Sequence, residues 1–275
     1  NPEDKNPTGE IIETLGDLNY NEMTMRSILM GNGFNLNFPK EVEDEAKKID
    51  ESISEKEIKK RLDYRDITTF TIDPDDAKDF DDAISVRKLS DEIWEVGVHI
   101  ADVSHYVVPY TALDKEAIER STSVYLPDRV CPMLPERLSN HICSLRPNEE
   151  KLCFAVIFHF NAKHKMIEFK IAKTVIKSHR RFTYGEAQQV IETGVGDFAT
   201  EITKIAEIAR AMRKERFEEG AIAFETTEIR FKLDENAKPI EVVIKERKEA
   251  NMMIEDWMLL ANKTVAKYMA RLKVN

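Results

Sequence analysis

Six aspartates, Asp73, Asp75, Asp76, Asp79, Asp81 and Asp82, crowd the run Thr71-Ile-Asp-Pro-Asp-Asp-Ala-Lys-Asp-Phe-Asp-Asp-Ala-Ile-Ser85. Carboxylates this close repel, and the repulsion lifts some of their pKa values. One or two divalent cations would relieve it. An all-oxygen donor set suits Mg2+ or Mn2+ rather than zinc. An acidic surface loop is the plain alternative.

Two stretches rich in β-branched and aromatic residues flank the run: Ile67-Thr-Thr-Phe-Thr-Ile72 and Ala83-Ile-Ser-Val86. Both fit a pleated, half-buried surface and are expected as strands. Pro74 cannot donate to a ladder, so the pairing should break there and a loop begin. Extended backbone at Asp79-Phe-Asp81 would put both carboxylates on one face and Phe80 on the other. Trp94-Glu-Val-Gly-Val-His-Ile100 alternates, with Trp94, Val96, Val98 and Ile100 on one face. It should pair with the 83–86 strand. His99, on the opposite face, reads as a hydrogen-bonded structural histidine. Asp102 reads as a turn or helix cap.

Three other motifs fit poorly. An EF-hand loop starting at Asp73 needs Gly at its sixth position and Glu at its twelfth, where Lys78 and Ile84 stand. Asp75-Asp-Ala-Lys-Asp79 matches the Asp-Asp-x-x-Asp pattern of terpenoid synthases, but Pro74 and the β flanks oppose the long helix that pattern needs. Asp79-x-Asp81 is similar to phosphatase loops, yet no strand leads directly into it.

One resemblance fits the whole run. Thr71-Ile-Asp-Pro-x-Asp-Ala-x-Asp-Phe-Asp-Asp-Ala83 is similar to the signature of the ribonuclease II/ribonuclease R (RNB) family of 3′→5′ exoribonucleases. His99-Ile-Ala-Asp-Val-Ser104 resembles a further block of that family. So does Tyr125-Leu-Pro-Asp-Arg-Val-Cys-Pro-Met-Leu-Pro-Glu-Arg-Leu-Ser139 with Cys143-Ser-Leu145. The resemblance runs from about residue 63 to the C-terminus, and its wording between Pro74 and Phe80 leans towards ribonuclease R.

The resemblance implies an α+β fold over residues 61–275, with a mixed β-sheet and packed helices. Residues 1–60 would be the end of a cold-shock (OB) β-barrel and a helical linker. Asp73, Asp79, Asp81 and Asp82 fall on the family's active-site aspartates; Asp75 and Asp76 do not. Asp73 and Asp82 are expected as direct ligands of Mg2+, with Mn2+ as a substitute. Asp79 and Asp81 are expected to hold metal-bound waters or a second ion. Tyr125 would meet the RNA 3′ end and Phe224 would clamp bases against it. Tyr184 is tied to the preference for RNA over DNA, and Glu255 to a ribose contact. The expected reaction is processive hydrolysis of single-stranded RNA to nucleoside 5′-monophosphates, by a cytoplasmic monomer with no membrane association. The residue types suit these roles: a rigid aromatic stacks on any base, and a carboxylate accepts from a 2′-hydroxyl.

The family's catalytic domain also carries a Ser-Pro-x-Arg-Arg block and is followed by an S1 domain, and neither occurs here. The chain is therefore expected to be a fragment, weakly active or inactive alone. A noncatalytic RNA-binding or Ca2+-stabilised module is the alternative from another class.

Composition sets the outer bounds. The chain has 275 residues, 42% of them hydrophobic, which is enough for a substantial core. The net charge of −10 argues against a nonspecific polyanion binder. A local basic path would have to meet RNA, and Lys163, Lys165, Lys170, Lys173, Lys177, Arg180 and Arg181 are the candidates. Cys131, Cys143 and Cys153 form no Cys-x-x-Cys pair and read as reduced thiols.

Further elements follow from local signals. A strand is expected at 10–15 and helices at 23–30 and from Pro39. Thr111 should cap a helix to Arg120. The stretches 151–160 and 167–176 should form a hairpin, and 221–231 with 240–244 another. Thr183-Tyr-Gly-Glu186 is a capping box for a helix to about Glu192. A stripe at Ile202, Ile205, Ile208, Ala209 and Met212 marks a helix stopped by Gly220. An apolar helix is expected over 249–272, with Glu255 interrupting its apolar surroundings and needing a donor.

Overall fold

The chain is described by a computed structural model over residues 20–222, 228–236, 238–244 and 246–273. Three helices lead: α1 (Tyr20–Gly31), α2 (Lys40–Lys48) and α3 (Glu55–Ile58). Pro39 stands just before α2, with Glu41 and Glu43 in its first turn and Lys47 and Lys48 in its last, so both ends complement the helix dipole. Among the described residues before Leu62 there is no strand. The described residues 20–60 thus show no part of the cold-shock barrel expected over 1–60, and the strand expected at 10–15 lies outside the described residues.

Strands β1 (Leu62–Tyr64), β2 (Thr69–Asp73), β3 (Asp82–Lys88) and β4 (Ile93–Ala101) follow, then helix α4 (Ala112–Arg120). Thr111 accepts from the Asp114 N–H and caps α4 as its sequence position foretold. A two-residue ribbon, β5 (Val124–Tyr125) with β6 (Val130–Cys131), leads to a π-helical turn at Arg137–Ile142. The long hairpin β7 (Glu150–Asn161) and β8 (Met166–Lys177) comes next, then β9 (Arg180–Thr183). Helices α5 (Tyr184–Thr193) and α6 (Ala199–Glu218), the hairpin β10 (Ile229–Leu233) and β11 (Pro239–Ile244), and helix α7 (Glu249–Leu272) complete the order. The capping box at Thr183 and Glu186 opens α5.

Seven strands form one mixed sheet, in the order β1-β8-β7-β4-β3-β2-β9. The outer pairs, β1 with β8 and β2 with β9, are parallel, and the rest are antiparallel. Both faces are covered. On the first, Phe70, Ile84, Val98, Phe158 and Phe182 pack against Ile205, Met253 and Trp257 of α6 and α7. On the second, Ala83, Ala155 and Ile157 pack against Val42 of α2, Leu113 of α4 and Leu138 of the π turn. A smaller patch joins Ile58 of α3 to Leu152 and Val175.

Burial on both faces explains two departures from simple alternation. His99 is fully buried and bonded to Ser85 Oγ at 2.8 Å and Thr174 Oγ1 at 2.9 Å, the structural role its position suggested. Gly97 leaves room for that network, since a Cβ there would lie 2.4 Å from Ser85 Oγ and 2.6 Å from His99 Nε2. Ile100 shares the face of Val96 and Val98, as its spacing suggested, but is 42% exposed. It lies between the cover supplied by α5–α7 and the cover supplied by α3, where neither reaches.

Candidate active site

Strand β2 ends at Asp73 and β3 begins at Asp82, so the eight residues between leave the sheet where Pro74 breaks the ladder. The sheet itself places the two end aspartates. Asp73 pairs in parallel register with Thr183, the residue that caps α5, and Asp82 pairs with Ile100. Asp73 is 7% exposed.

Electrostatics show that the four signature aspartates share one neighbourhood. Burial, then Asp79 and Asp81, push Asp73 up to about 6, against easing by Thr71 and the Arg181 charge. Burial, then Asp73 and Asp81, push Asp82 up to about 7. Asp81 is raised by burial and by Asp79. No aligned hydrogen bond relieves the innermost group: Asp73 Oδ2, Thr71 Oγ1 and Arg181 Nε are all buried without a partner. Orphaned polar atoms of both signs in one spot mark a place that expects a water or a ligand.

The intervening loop is fastened from elsewhere. Arg181 Nη2 donates to the Pro74 carbonyl, and its guanidinium lies 5.6 Å from the Phe80 ring centroid. Ser144 Oγ donates to the Lys78 carbonyl at 2.9 Å and accepts from the Phe80 N–H at 3.0 Å. The Leu145 N–H donates to the Phe80 carbonyl at 2.8 Å. Phe80 is partly buried against the second core, as the alternation at Asp79-Phe-Asp81 anticipated.

Two of the aromatic candidates come to the same place. Tyr125 is exposed at the edge of the ribbon, and its hydroxyl donates to Asp79 Oδ2 at 2.9 Å. Tyr184 opens α5 beside Asp73; burial, then Asp82 and Asp73, push its phenol up to about 12.

The donor chemistry suits a hard divalent cation: oxygen donors only, mutually repelling and partly stripped of water. Among the described residues, no three His, Cys, Asp or Glu side chains form a ready cage. Mg2+ needs none, because it keeps several waters and is commonly held by one or two carboxylates plus phosphate oxygens. Asp73, Asp79, Asp81 and Asp82 are the residues that would hold it.

The family model of the RNB domain matches residues 61–275. The chain belongs to the RNB-domain family. Ribonuclease R 1 of Lactococcus lactis is 42% identical over 267 residues, covering 94% of this chain and 32% of its own length. DIS3-like exonuclease 2 of Schizosaccharomyces pombe is 42% identical over 282 residues, covering 96% of this chain and 30% of its own length. The structure of Mycoplasma genitalium RNase R in complex with ribose-methylated single-stranded RNA superposes with a TM-score of 0.88 at 29% identity, over 94% of this chain and 41% of that one. The chain thus spans about a third of the length of the curated relatives it matches.

The RNB domain places the other candidates less centrally. Phe224 lies outside the described residues. Glu255 is exposed on α7 and pairs with Arg247, so it does not interrupt a buried surface as expected. The buried carboxylate there is its neighbour Asp256, 3% exposed and held by Arg213 at 2.8 Å and Arg216 at 2.9 Å. Asp102 follows β4 and forms a buried pair with Arg61 at 2.8 Å. Burial alone would raise it, but Ser104, Lys173 and Arg61 outweigh burial and hold it low. The basic path does not form as a unit. Lys165 pairs with Glu215, Lys173 with Asp102, and Arg180 with Glu186; Arg181 alone among them reaches the aspartates.

Two features of the RNB domain were missed in the sequence. Ser144, inside a quoted block, gave no sign of a role of its own. The register also sets Asp82, Ile100, Phe154 and Lys173 in one row across β3, β4, β7 and β8. Phe154 is 45% exposed, with Lys173 Nζ 5.9 Å from its ring centroid. An exposed Ile and Phe beside Asp82 make an apolar strip that strand alternation alone could not announce.

Proposed function

We propose that this RNB domain is the catalytic part of a divalent-metal-dependent exoribonuclease that hydrolyses single-stranded RNA from its 3′ end, releasing nucleoside 5′-monophosphates processively. The observation that carries the reading is the gathering of Asp73, Asp79, Asp81 and Asp82 at one strand break, with Tyr125 and Tyr184 beside them. A bound Mg2+ or Mn2+ would lower the pKa of a water and offset charge developing on the phosphoryl group. The aspartates would bind and orient it, and Asp73 and Asp82 would give up their protons to do so. Tyr125 offers a ring on which a terminal base can stack without being read, and the strip at Ile100 and Phe154 offers a second such surface. Sequence tolerance follows, because stacking and phosphate contacts carry no base code.

Two neighbours support RNA as the substrate class: the Mycoplasma genitalium RNase R structures were obtained with single-stranded and double-stranded RNA. The alternative, a noncatalytic RNA-binding or Ca2+-stabilised module, is not favoured by the ribonuclease R relatives. The test uses the full-length protein carrying this domain. Asp81→Asn should abolish Mg2+-dependent nucleotide release from a labelled single-stranded RNA while leaving RNA binding intact. Native-rate degradation by that variant would falsify the reading.

A further inference from the structure

Asp79 sits in backbone that has left the sheet, while the Asp81 carbonyl accepts from the Ala101 N–H at the end of β4 at 3.0 Å. Between Pro74 and Phe80, the backbone anchoring bonds fall into two groups. Near the start, the Ala77 N–H closes a turn on the Pro74 carbonyl at 3.1 Å and Arg181 holds the same carbonyl. Around Asp79, the backbone bonds at Lys78 and Phe80 come from Ser144 and Leu145, some 65 residues further along the chain, and the Asp79 side chain accepts from the Tyr125 hydroxyl. Ser144 Oγ both donates and accepts, to Lys78 O and from Phe80 N–H, and so clasps the two peptide units that flank Asp79.

We propose that Ser144 is a positioning residue for the aspartate pair Asp79 and Asp81, setting their placement towards a divalent cation. This rests on the functional reading above and deepens it. Ser144 touches no reacting group and acts through the loop. Its side chain is fully buried, so no water stands ready to replace the hydroxyl. An alanine there takes the shared partner from the Lys78 carbonyl and the Phe80 N–H, both part-buried, and the loop must shift to recover partners. A second observation concerns how Ser144 arrives. It follows the π-helical turn Arg137–Ile142, where the Cys143 N–H reaches back five residues to Leu138 O at 2.8 Å. Such wide turns are rare and recur at functional sites. Here the turn is anchored in the second core through Leu138 and Ile142, so the clasp is mounted on rigid packing. Tyr125 is tied into the same assembly through its bond to Asp79, so a shifted loop would also release that ring.

The experiment compares Ser144→Ala and Ser144→Cys with the native full-length protein. Cysteine keeps the size but is a far weaker donor and acceptor. Displacements near 1 Å commonly cost about 100-fold in rate. The expected result for Ser144→Ala is a kcat lowered about 10- to 100-fold, with KM for single-stranded RNA near the native value and the melting temperature little changed. Mn2+ binding without RNA, followed by electron paramagnetic resonance, should weaken several-fold, with Ser144→Cys intermediate. Asp81→Asn is measured alongside. If Asp81→Asn keeps the native rate, the functional reading itself fails. If Asp81→Asn is inactive while Ser144→Ala keeps native kcat and native Mn2+ affinity, only the positioning role falls. If both Ser144 variants fail to fold, the hydroxyl supports the fold at large and the proposal is overturned.

Discussion

At the scale of single residues, the decisive property is the mismatch between what Asp73 and Asp82 want in water and what the sheet allows them. Each is lifted far above an ordinary aspartate, to about 6 and about 7, by burial first and neighbouring carboxylates second. A folded-state pKa above the unfolded one means a stability contribution that is present at low pH and lost as pH rises through the folded pKa. The buried charges therefore act against folding near neutrality unless a cation offsets them. Asp82→Asn removes one. Without divalent metal, the variant should melt several degrees above the native protein at pH 8, and the difference should close towards pH 4. With saturating Mg2+ the order should reverse, since only the native protein gains a ligand-linked increment. Thermal melts at the two pH values, with and without Mg2+, check this. A variant that melts with the native protein at pH 8 in metal-free buffer would contradict it.

At the scale of elements, the site is made by two strand ends and a parallel neighbour. Much of this was legible. The β-branched flanks, the break at Pro74, the Thr111 and Thr183 caps and the long hairpin all rest on local chemistry, and each stands where its residues put it. The placement of β9 beside β2 was not legible, because a parallel pairing across more than a hundred residues leaves no local trace. That pairing brings Arg181 and Tyr184 to Asp73. The exposure of Ile100 was missed for a related reason: alternation reports which face a residue takes, not where the covering helices stop. The row of Ile100, Phe154 and Lys173 beside Asp82 gives this a functional test. Phe154→Ala in the full-length protein should raise KM for single-stranded RNA about 5- to 100-fold, the range of one lost base stack. Because Phe154 is already half exposed, the melting temperature should hardly move. An unchanged KM would show that RNA does not use the strip.

At the scale of the whole molecule, one sheet with both faces covered explains how a chain of net charge −10 carries a dense acidic cluster without unfolding it. The backbone that bears Asp79 and Asp81 is clasped to the second core, while Tyr184 belongs to the first-face assembly. Helices α2 and α3 join these cores through Val42 and Ile58, so described residues before the matched domain contribute to its packing. No described helix is long and apolar enough to cross a membrane. The family itself was legible because one short run fixes four carboxylates, two hydrophobic flanks and a proline at once. The individual roles of Glu255 and Ser144 were not, because neither burial nor a clasp between distant backbone atoms is written in spacing.

The central claim is that the aspartates at the strand break bind divalent cations. Anomalous diffraction from Mn2+-soaked crystals of the full-length protein with a non-hydrolysable single-stranded RNA tests it most directly. The account predicts a manganese peak within bonding distance, about 2.0–2.3 Å, of carboxylate oxygens of Asp73 and Asp82. Crystals with ordered RNA and no manganese at these aspartates would contradict it.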